Sequence, residues 1–314
     1  MSRRMHGYLY LTLAMITVGS TVVASKIVAA GLPPFTATAL RFAIALPLFL
    51  VLMRVTRTTW PILAPREWGL LLVQAGAGSV GYTTLLILGL RHASATDAGV
   101  IIGTLPVVSA AIAIMVLGER PRRAVLLAIA LAAAGVLTIV FRDDAGSAHS
   151  LLGSVLIFGA VGCEGVFILL NKRIQTPIAP LALSTIMAAF GLAVAAIPAG
   201  FEMPWMHALS GDALSGDALA AVAYYALIPT VGGFLLWYAG AARVSGAEAA
   251  LFTAVAPVSA VVLAAALLGE QIGQSQIIGI GCVLVAVFSL GMSQSTDMTD
   301  SAMADAEGDA ASHR

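Results

Sequence analysis

"GLRHASATDAGVIIGTLPVVSAAIAIMVLGER" (Gly89–Arg120) returns later in the chain as "GAARVSGAEAALFTAVAPVSAVVLAAALLGEQ" (Gly240–Gln271), at an offset of 151 and with no gap. Gly89 falls on Gly240, Ser94 on Ser245, Ala98 on Ala249, Pro106 on Pro257 and Gly118-Glu119 on Gly269-Glu270; upstream, Gly81 falls on Gly232. An earlier segment repeats at an offset of 146, with Gly7 on Gly153, Lys26 on Lys172 and Pro34 on Pro180. A period this long divides the chain into two halves, 1–145 and 146–293, followed by a tail, 294–314.

The repeated block is almost uncharged, and so is the chain around it. Apolar residues make up 60% and charged residues 10%, against about 45–50% and 25% in soluble domains. That places the chain among membrane proteins. Crossing about 30 Å of hydrocarbon takes about 20 residues of helix, and ten stretches qualify: 8–25, 35–53, 68–90, 97–117, 123–141, 151–170, 180–200, 218–238, 247–268 and 274–292. They are continuously apolar and lack the two-residue alternation of a membrane barrel. Ser2-Arg3-Arg4 ahead of an apolar run resembles a secretory signal, but no small-residue cleavage site follows, so the first span is expected to stay.

Several function classes fall away here. Formal net charge is zero, which leaves no basic footprint for nucleic acid. Cys163 and Cys282 lie inside apolar runs and read as buried thiols, not a disulfide framework. The five histidines occupy tails and connections, which argues against haem, zinc or histidine catalysis within the membrane. Gly76-x-Gly78-x-x-Gly81 copies a dinucleotide fingerprint but lies in an apolar span with no strand before it, so it is rejected. No cofactor and no metal are expected.

Lysine and arginine set the orientation. With the N-terminus in the cytoplasm, inside segments hold twelve of them and outside segments only Lys26, Arg91 and Arg142, with Arg41 inside a span. That is a strong positive-inside bias. Both termini are then cytoplasmic, and with five spans per half the second half enters the membrane upside down. Two similar halves of opposite orientation are typical of secondary transporters. The expected fold is an all-α membrane protein, ten transmembrane helices arranged as two inverted five-helix repeats around a central cavity. The 142–150 linker is short and polar. The loop at 202–217 carries a small duplication, Ser-Gly-Asp-Ala-Leu at 210 and 215, and the tail is acidic and expected to be disordered.

The interrupted spans locate the cavity. Gly76, Gly78 and Gly81 break the third span, and Pro229, Gly232 and Gly233 break its partner, the eighth. Gly99, Gly103 and Pro106 interrupt the fourth and Pro257 the ninth. Proline removes a backbone hydrogen bond, and such groups are tolerated at membrane depth only against protein or a watery cavity. Gly103, Pro106, Pro229 and Pro257 are therefore expected as kinks. Gln74, Gly78 and Tyr82 share one face, and Tyr225, Pro229 and Gly233, with Trp237 a turn further, share the partner face. Such faces suit a small amphipathic solute. Trp237 and Tyr238 also suit an interfacial aromatic belt.

Glu164 lies deep in the sixth span between Gly162 and Gly165. An intramembrane carboxylate is a functional candidate by default, and three roles are open: proton carrier, counter-charge for a substrate amine, or structural partner of Thr17 or Ser20 on the first span. Arg41 and Lys172 are expected to snorkel to the outer and inner surfaces. Glu119 and Glu270 are expected to serve the N-terminus of the following span, since a carboxylate opposes the dipole at a helix C-terminus.

Ten spans in two inverted halves, with a proline twelve residues before Gly-Glu in both and Pro34 followed by Arg41-Phe42, resemble the drug/metabolite transporter superfamily and, within it, the EamA family. The resemblance covers about residues 7–292, and Met187 departs from it where Arg41 would map. It implies a multi-pass protein of the bacterial inner membrane that moves amino acids, other metabolites or drugs, often outward; YddG-type amino-acid exporters are similar. A monomeric secondary transporter working by alternating access is the expectation, driven by a gradient or by exchange because no G-x-x-x-x-G-K-[ST] loop is encoded. Its central site would be built from spans 1, 3, 4, 6, 8 and 9, and its partners would be a small-molecule substrate and the lipid bilayer. A drug- or nucleoside-type efflux carrier, a passive channel and, with poor material for it, a membrane-embedded enzyme are the other readings.

Overall fold

The structure is a computed structural model and describes residues 3–117, 123–140, 150–171, 173–202, 215–244 and 252–286. Glu119, Lys172, the 142–149 linker, the first Ser-Gly-Asp-Ala-Leu copy and the 294–314 tail lie outside the described residues.

The described chain is helical, with no strand among those residues. The helices are α1 (Arg3–Gly31), α2 (Pro34–Val55), α3 (Pro65–Leu90), α4 (Ala95–Ile102), α5 (Leu105–Leu117), α6 (Arg123–Val140), α7 (Leu151–Asn171), α8 (Pro180–Ala199), α9 (Gly216–Ala241), α10 (Val255–Leu268) and α11 (Gln274–Ala286). Their starts follow from local chemistry. Pro34, Pro65 and Pro180 sit in first turns, where the missing N–H costs nothing. Ser94 caps α4 by accepting the Asp97 N–H at 3.0 Å.

Six helices (α1, α2, α3, α7, α8 and α9) are long and apolar enough to cross a membrane, and α4 with α5 make a seventh if the bent pair counts as one. The fifth, ninth and tenth expected spans fall on shorter apolar helices. Each of those three expected spans includes residues that the structure does not describe.

Two helices change character midway. Ala75–Gly81 in α3 and Ala226–Gly232 in α9 are π-helical, seven residues each, and they fall at the same 151-residue offset as the sequence repeat. Pro229 cannot donate to the preceding turn, and a wider turn absorbs the loss. The Thr230 hydroxyl helps to close it by donating to the Tyr225 carbonyl at 2.8 Å, five residues back. The kink in the fourth span is at Gly103–Thr104, where α4 and α5 meet at 44°. Pro106 sits just after it, in the first turn of α5, and Pro257 lies likewise in the first turn of α10, after a turn at Thr253–Ala254. Proline is accommodated in those first turns, so the chain bends ahead of it.

Packing joins the halves more than it separates them. α1 packs on α9 and α10, α7 packs on α3 and α5, and α2 packs on α8. Close approach has a matched basis: a Cβ on Gly89 would lie 2.6 Å from the Ile157 side chain of α7, and one on Gly240 would lie 2.7 Å from the Leu11 side chain of α1. Gly240 is the repeat partner of Gly89, and Ile157 that of Leu11 at the 146 offset.

Carboxylates tie the ends. Glu202, after α8, accepts the backbone N–H groups of Phe35 and Thr36 at 3.0 and 2.7 Å and the Thr36 hydroxyl at 2.6 Å. Glu67, in the first turn of α3, accepts the Thr176 N–H at 3.1 Å and its hydroxyl at 2.9 Å, just ahead of α8. Glu270 corrects an expectation: it serves α4 in the other half, not the following helix, accepting from Ala95 N and Thr96 N, both at 2.8 Å. Two free N–H groups and a helix dipole outbid the nearer helix. Beside it Lys26 donates to the Leu90 and Ala93 carbonyls, both at 2.7 Å, while Gln276 donates to buried Asp97 at 2.8 Å.

Candidate functional site

A cavity of about 430 Å³ lies between the two π segments. Met15, Val18 and Thr21 of α1 line it, with Gly78, Ser79, Tyr82 and Thr83 of α3, Glu164 and Phe167 of α7, and Tyr225, Pro229, Thr230 and Trp237 of α9. The α4–α5 break contributes Ile102, Gly103, Leu105 and Pro106, and the start of α10 contributes Thr253, Ala254, Ala256 and Pro257. Its size falls within the usual range for small-molecule sites.

Arg41 of α2 also faces this space, which corrects the expectation that it reaches the outer surface. Its Nε donates to Thr230 Oγ1 at 3.0 Å and its Nη1 to Thr83 Oγ1 at 2.8 Å. The guanidinium carbon stands 4.2 Å from the centre of the Tyr225 ring and 4.8 Å from that of Phe42. Two hydroxyls and a ring are worth more to a guanidinium at this depth than a stretched path to the surface. Both threonines spend their own proton on a helix carbonyl, Thr83 on Ser79 at 2.9 Å and Thr230 on Tyr225. Each is thereby left as an acceptor toward Arg41.

Glu164 faces the same space from α7. Among the described residues no group hydrogen-bonds its carboxyl, and neither it nor Arg41 forms an ion pair. The cavity thus holds a guanidinium and a carboxyl group that share no hydrogen bond, with Tyr82 and Tyr225 on its walls. Gly78 gives Phe167 its place, since a Cβ there would stand 2.3 Å from the ring.

Comparison with known proteins matches this chain to the model of the EamA-like transporter family over residues 5–141 and 151–292. The chain belongs to that family. It is 33% identical to the uncharacterized transporter YetK of Bacillus subtilis (strain 168) over 289 residues, covering 91% of this chain and 87% of that protein. It is 24% identical to the uncharacterized transporter YyaM of the same organism over 285 residues, 90% of this chain and 92% of that one. A protein of known crystal structure shares the fold with a TM-score of 0.57 at 20% identity, over 90% of this chain and 96% of its own. Membership of the EamA-like family makes the chain a multi-pass membrane protein of a transporter family and not an enzyme.

Of the residues singled out in the sequence, Gly78, Tyr82, Glu164, Tyr225, Trp237, Gly103, Pro106, Pro229 and Pro257 line the cavity. Trp237 therefore faces the site, while Tyr238 packs against Phe234 with the rings tilted at 57° and their centres 4.5 Å apart. Thr17, Ser20, Gln74 and Gly233 do not line it. Thr17 donates to the Ala14 carbonyl at 2.7 Å and packs against Gly233, where a Cβ would lie 2.7 Å from its hydroxyl. Ser20 donates to the Thr17 carbonyl at 2.6 Å and accepts from the Tyr224 hydroxyl at 2.8 Å. Gln74 is fully buried and donates to the Phe167 carbonyl at 3.3 Å. None of the three polar side chains partners Glu164, because α1 and α3 turn them toward their own backbone or a neighbouring helix. Sequence reasoning missed Thr21, Thr83, Thr230 and Phe167, and the one signal for them was that Thr83 follows Tyr82 and Thr230 follows Pro229 on the broken spans.

Proposed function

We propose that this chain is a secondary transporter that exports small metabolites such as amino acids across the bacterial inner membrane, by alternating access between two inverted five-helix repeats. The observation that carries the reading is the pair of π segments at one sequence offset, Ala75–Gly81 and Ala226–Gly232, meeting at a cavity with Arg41 and Glu164 on its walls. Six long helices, the bent α4–α5 pair and three shorter apolar helices together supply the crossings of a ten-span chain in this reading. The matched contacts Gly89–Ile157 and Gly240–Leu11 support two-fold-related halves. The lysine and arginine distribution supports cytoplasmic termini. A monomer is part of this reading, since one chain supplies both halves of the repeat.

The moving bodies are mixed in this reading. α1 belongs with α9 and α10 by its packing, α7 with α3 and α5, and α2 with α8, to which Glu202 holds its first turn. Rocking of the first group against the second would open the cavity to each side in turn, with Gly103–Thr104 and the π segments as points of bending.

Counterflow in proteoliposomes tests the proposal. Preloaded vesicles should accumulate labelled solute above empty controls, saturably and without ionic conductance. Flux that never saturates would point to a channel instead.

A further inference from the structure

We propose that Arg41 selects the transported solute by binding a carboxylate on it, and that the solutes are small monocarboxylates with an apolar or aromatic body. The inference rests on the transporter reading above and names its substrate class.

A guanidinium keeps its charge under all physiological conditions, and a fixed charge at membrane depth is retained where something uses it. The groups that hold Arg41 are all neutral: the Thr83 and Thr230 hydroxyls and the rings of Tyr225 and Phe42. They orient the charge, and the opposite charge that acts on it, Glu164, does so through space and without a hydrogen bond. Because each threonine has given its proton to a helix carbonyl, the pair accepts two of the five guanidinium N–H groups, and the others have no hydrogen-bond acceptor among the described residues. The guanidinium carbon lies over the Tyr225 ring, and the group lines the cavity. A guanidinium with N–H groups to spare is what a carboxylate meets with two parallel hydrogen bonds.

The rest of the lining narrows the anion. Among the described residues, Arg41 is the cavity's only lysine or arginine, and Glu164 stands on the same walls. A phosphate or dicarboxylate would bring two negative charges to one cation and a carboxyl group, whereas a monocarboxylate is matched. An amine on the same solute finds Glu164, but an organic cation with no acid group brings the Arg41 N–H groups no carboxylate. The remaining walls (Tyr82, Tyr225, Phe167, Trp237) suit an apolar or aromatic body.

The test uses the full-length protein in proteoliposomes, with monocarboxylic, 2-oxo and 2-amino acids carrying apolar side chains, each beside its primary amide. Wild type is expected to take up the acids about tenfold or more faster than the amides, the margin of a charge-assisted bidentate pair. Arg41→Gln should erase that preference, chiefly through KM, bringing acid and amide to within about twofold, and Arg41→Lys should restore part of it. The inference is overturned if wild type does not distinguish acid from amide, or if Arg41→Gln slows both equally, as a merely structural role would. Should Arg41→Gln fail to fold, competition on wild type decides: excess acid must suppress counterflow and excess amide must not. Movement of sugars, nucleosides or cations alone would remove the carboxylate inference and leave the transporter reading standing. No movement of any solute would remove both.

Discussion

Thr230 Oγ1 accepts a 3.0 Å hydrogen bond from Arg41 Nε while donating to the Tyr225 carbonyl, so one hydroxyl both mends the π turn of α9 and aims the cavity's cation. Thr230→Val keeps the shape and removes both bonds. Losing a hydrogen bond to a charged group costs roughly 1.5–3 kcal/mol. Thermal unfolding in detergent should show a lowered Tm, and transport KM should rise as Arg41 loosens. Thr83→Val should do the same, and unchanged Tm and KM in both variants would show that the threonines do not hold Arg41.

Glu164→Gln removes a charge that no described group hydrogen-bonds. Placing a carboxylate in the middle of a membrane helix costs roughly 2.5–3.5 kcal/mol on insertion scales. The variant should therefore insert normally and melt no lower than wild type, while proton- or cation-dependent counterflow falls. Wild-type rates across the pH range would leave Glu164 only a structural part.

The first π segment separates two glycines that look alike in sequence. A Cβ on Gly78 would collide with Phe167, whereas one on Gly76 meets nothing within 4 Å. Gly78→Ala should destabilise by about 1–3 kcal/mol, the usual cost of overpacking. Gly76→Ala should be neutral or stabilising by up to about 1 kcal/mol. Equal Tm values for the two variants would contradict the packing described here.

Glu270 reaches across to the first turn of α4, so Glu270→Ala should behave as the loss of an N-cap, costing about 1–2 kcal/mol. Glu270→Gln, which keeps one acceptor oxygen, should lose less. Hydrogen exchange at Ala95 and Thr96 reports the contact directly, and protection there that survives Glu270→Ala would refute it.

The proposed inversion of the two halves makes a topological prediction. Ala145→Cys should react with a membrane-impermeant maleimide from outside the cell, and a cysteine near residue 56 only after permeabilisation. Labelling of Ala145→Cys from the cytosolic side alone would end the inverted reading.

How much was legible beforehand differs by kind of feature. The repeat at 151 residues, the continuous apolar runs and the paired glycine and proline breaks are properties of a one-dimensional string. They identified a helical membrane protein and most of the helices around its cavity, α2 with Arg41 excepted, because hydrocarbon forces each crossing helix to satisfy its own backbone. Arg41, Thr83, Thr230 and Glu270 were different. Whether Arg41 reaches the surface or the cavity depends on acceptors 42 and 189 residues away in the chain, and Glu270 prefers N–H groups 175 and 174 residues away to those of its own neighbour. The turning of Thr17 and Ser20 into their own helix, and the bend at Gly103–Thr104 ahead of Pro106, were likewise settled by what packs alongside. Periodicity in sequence sets which segments are helical and apolar. A polar side chain at membrane depth goes to whichever partner the assembled helices bring within about 3 Å, and that distance exists only once the helices have packed.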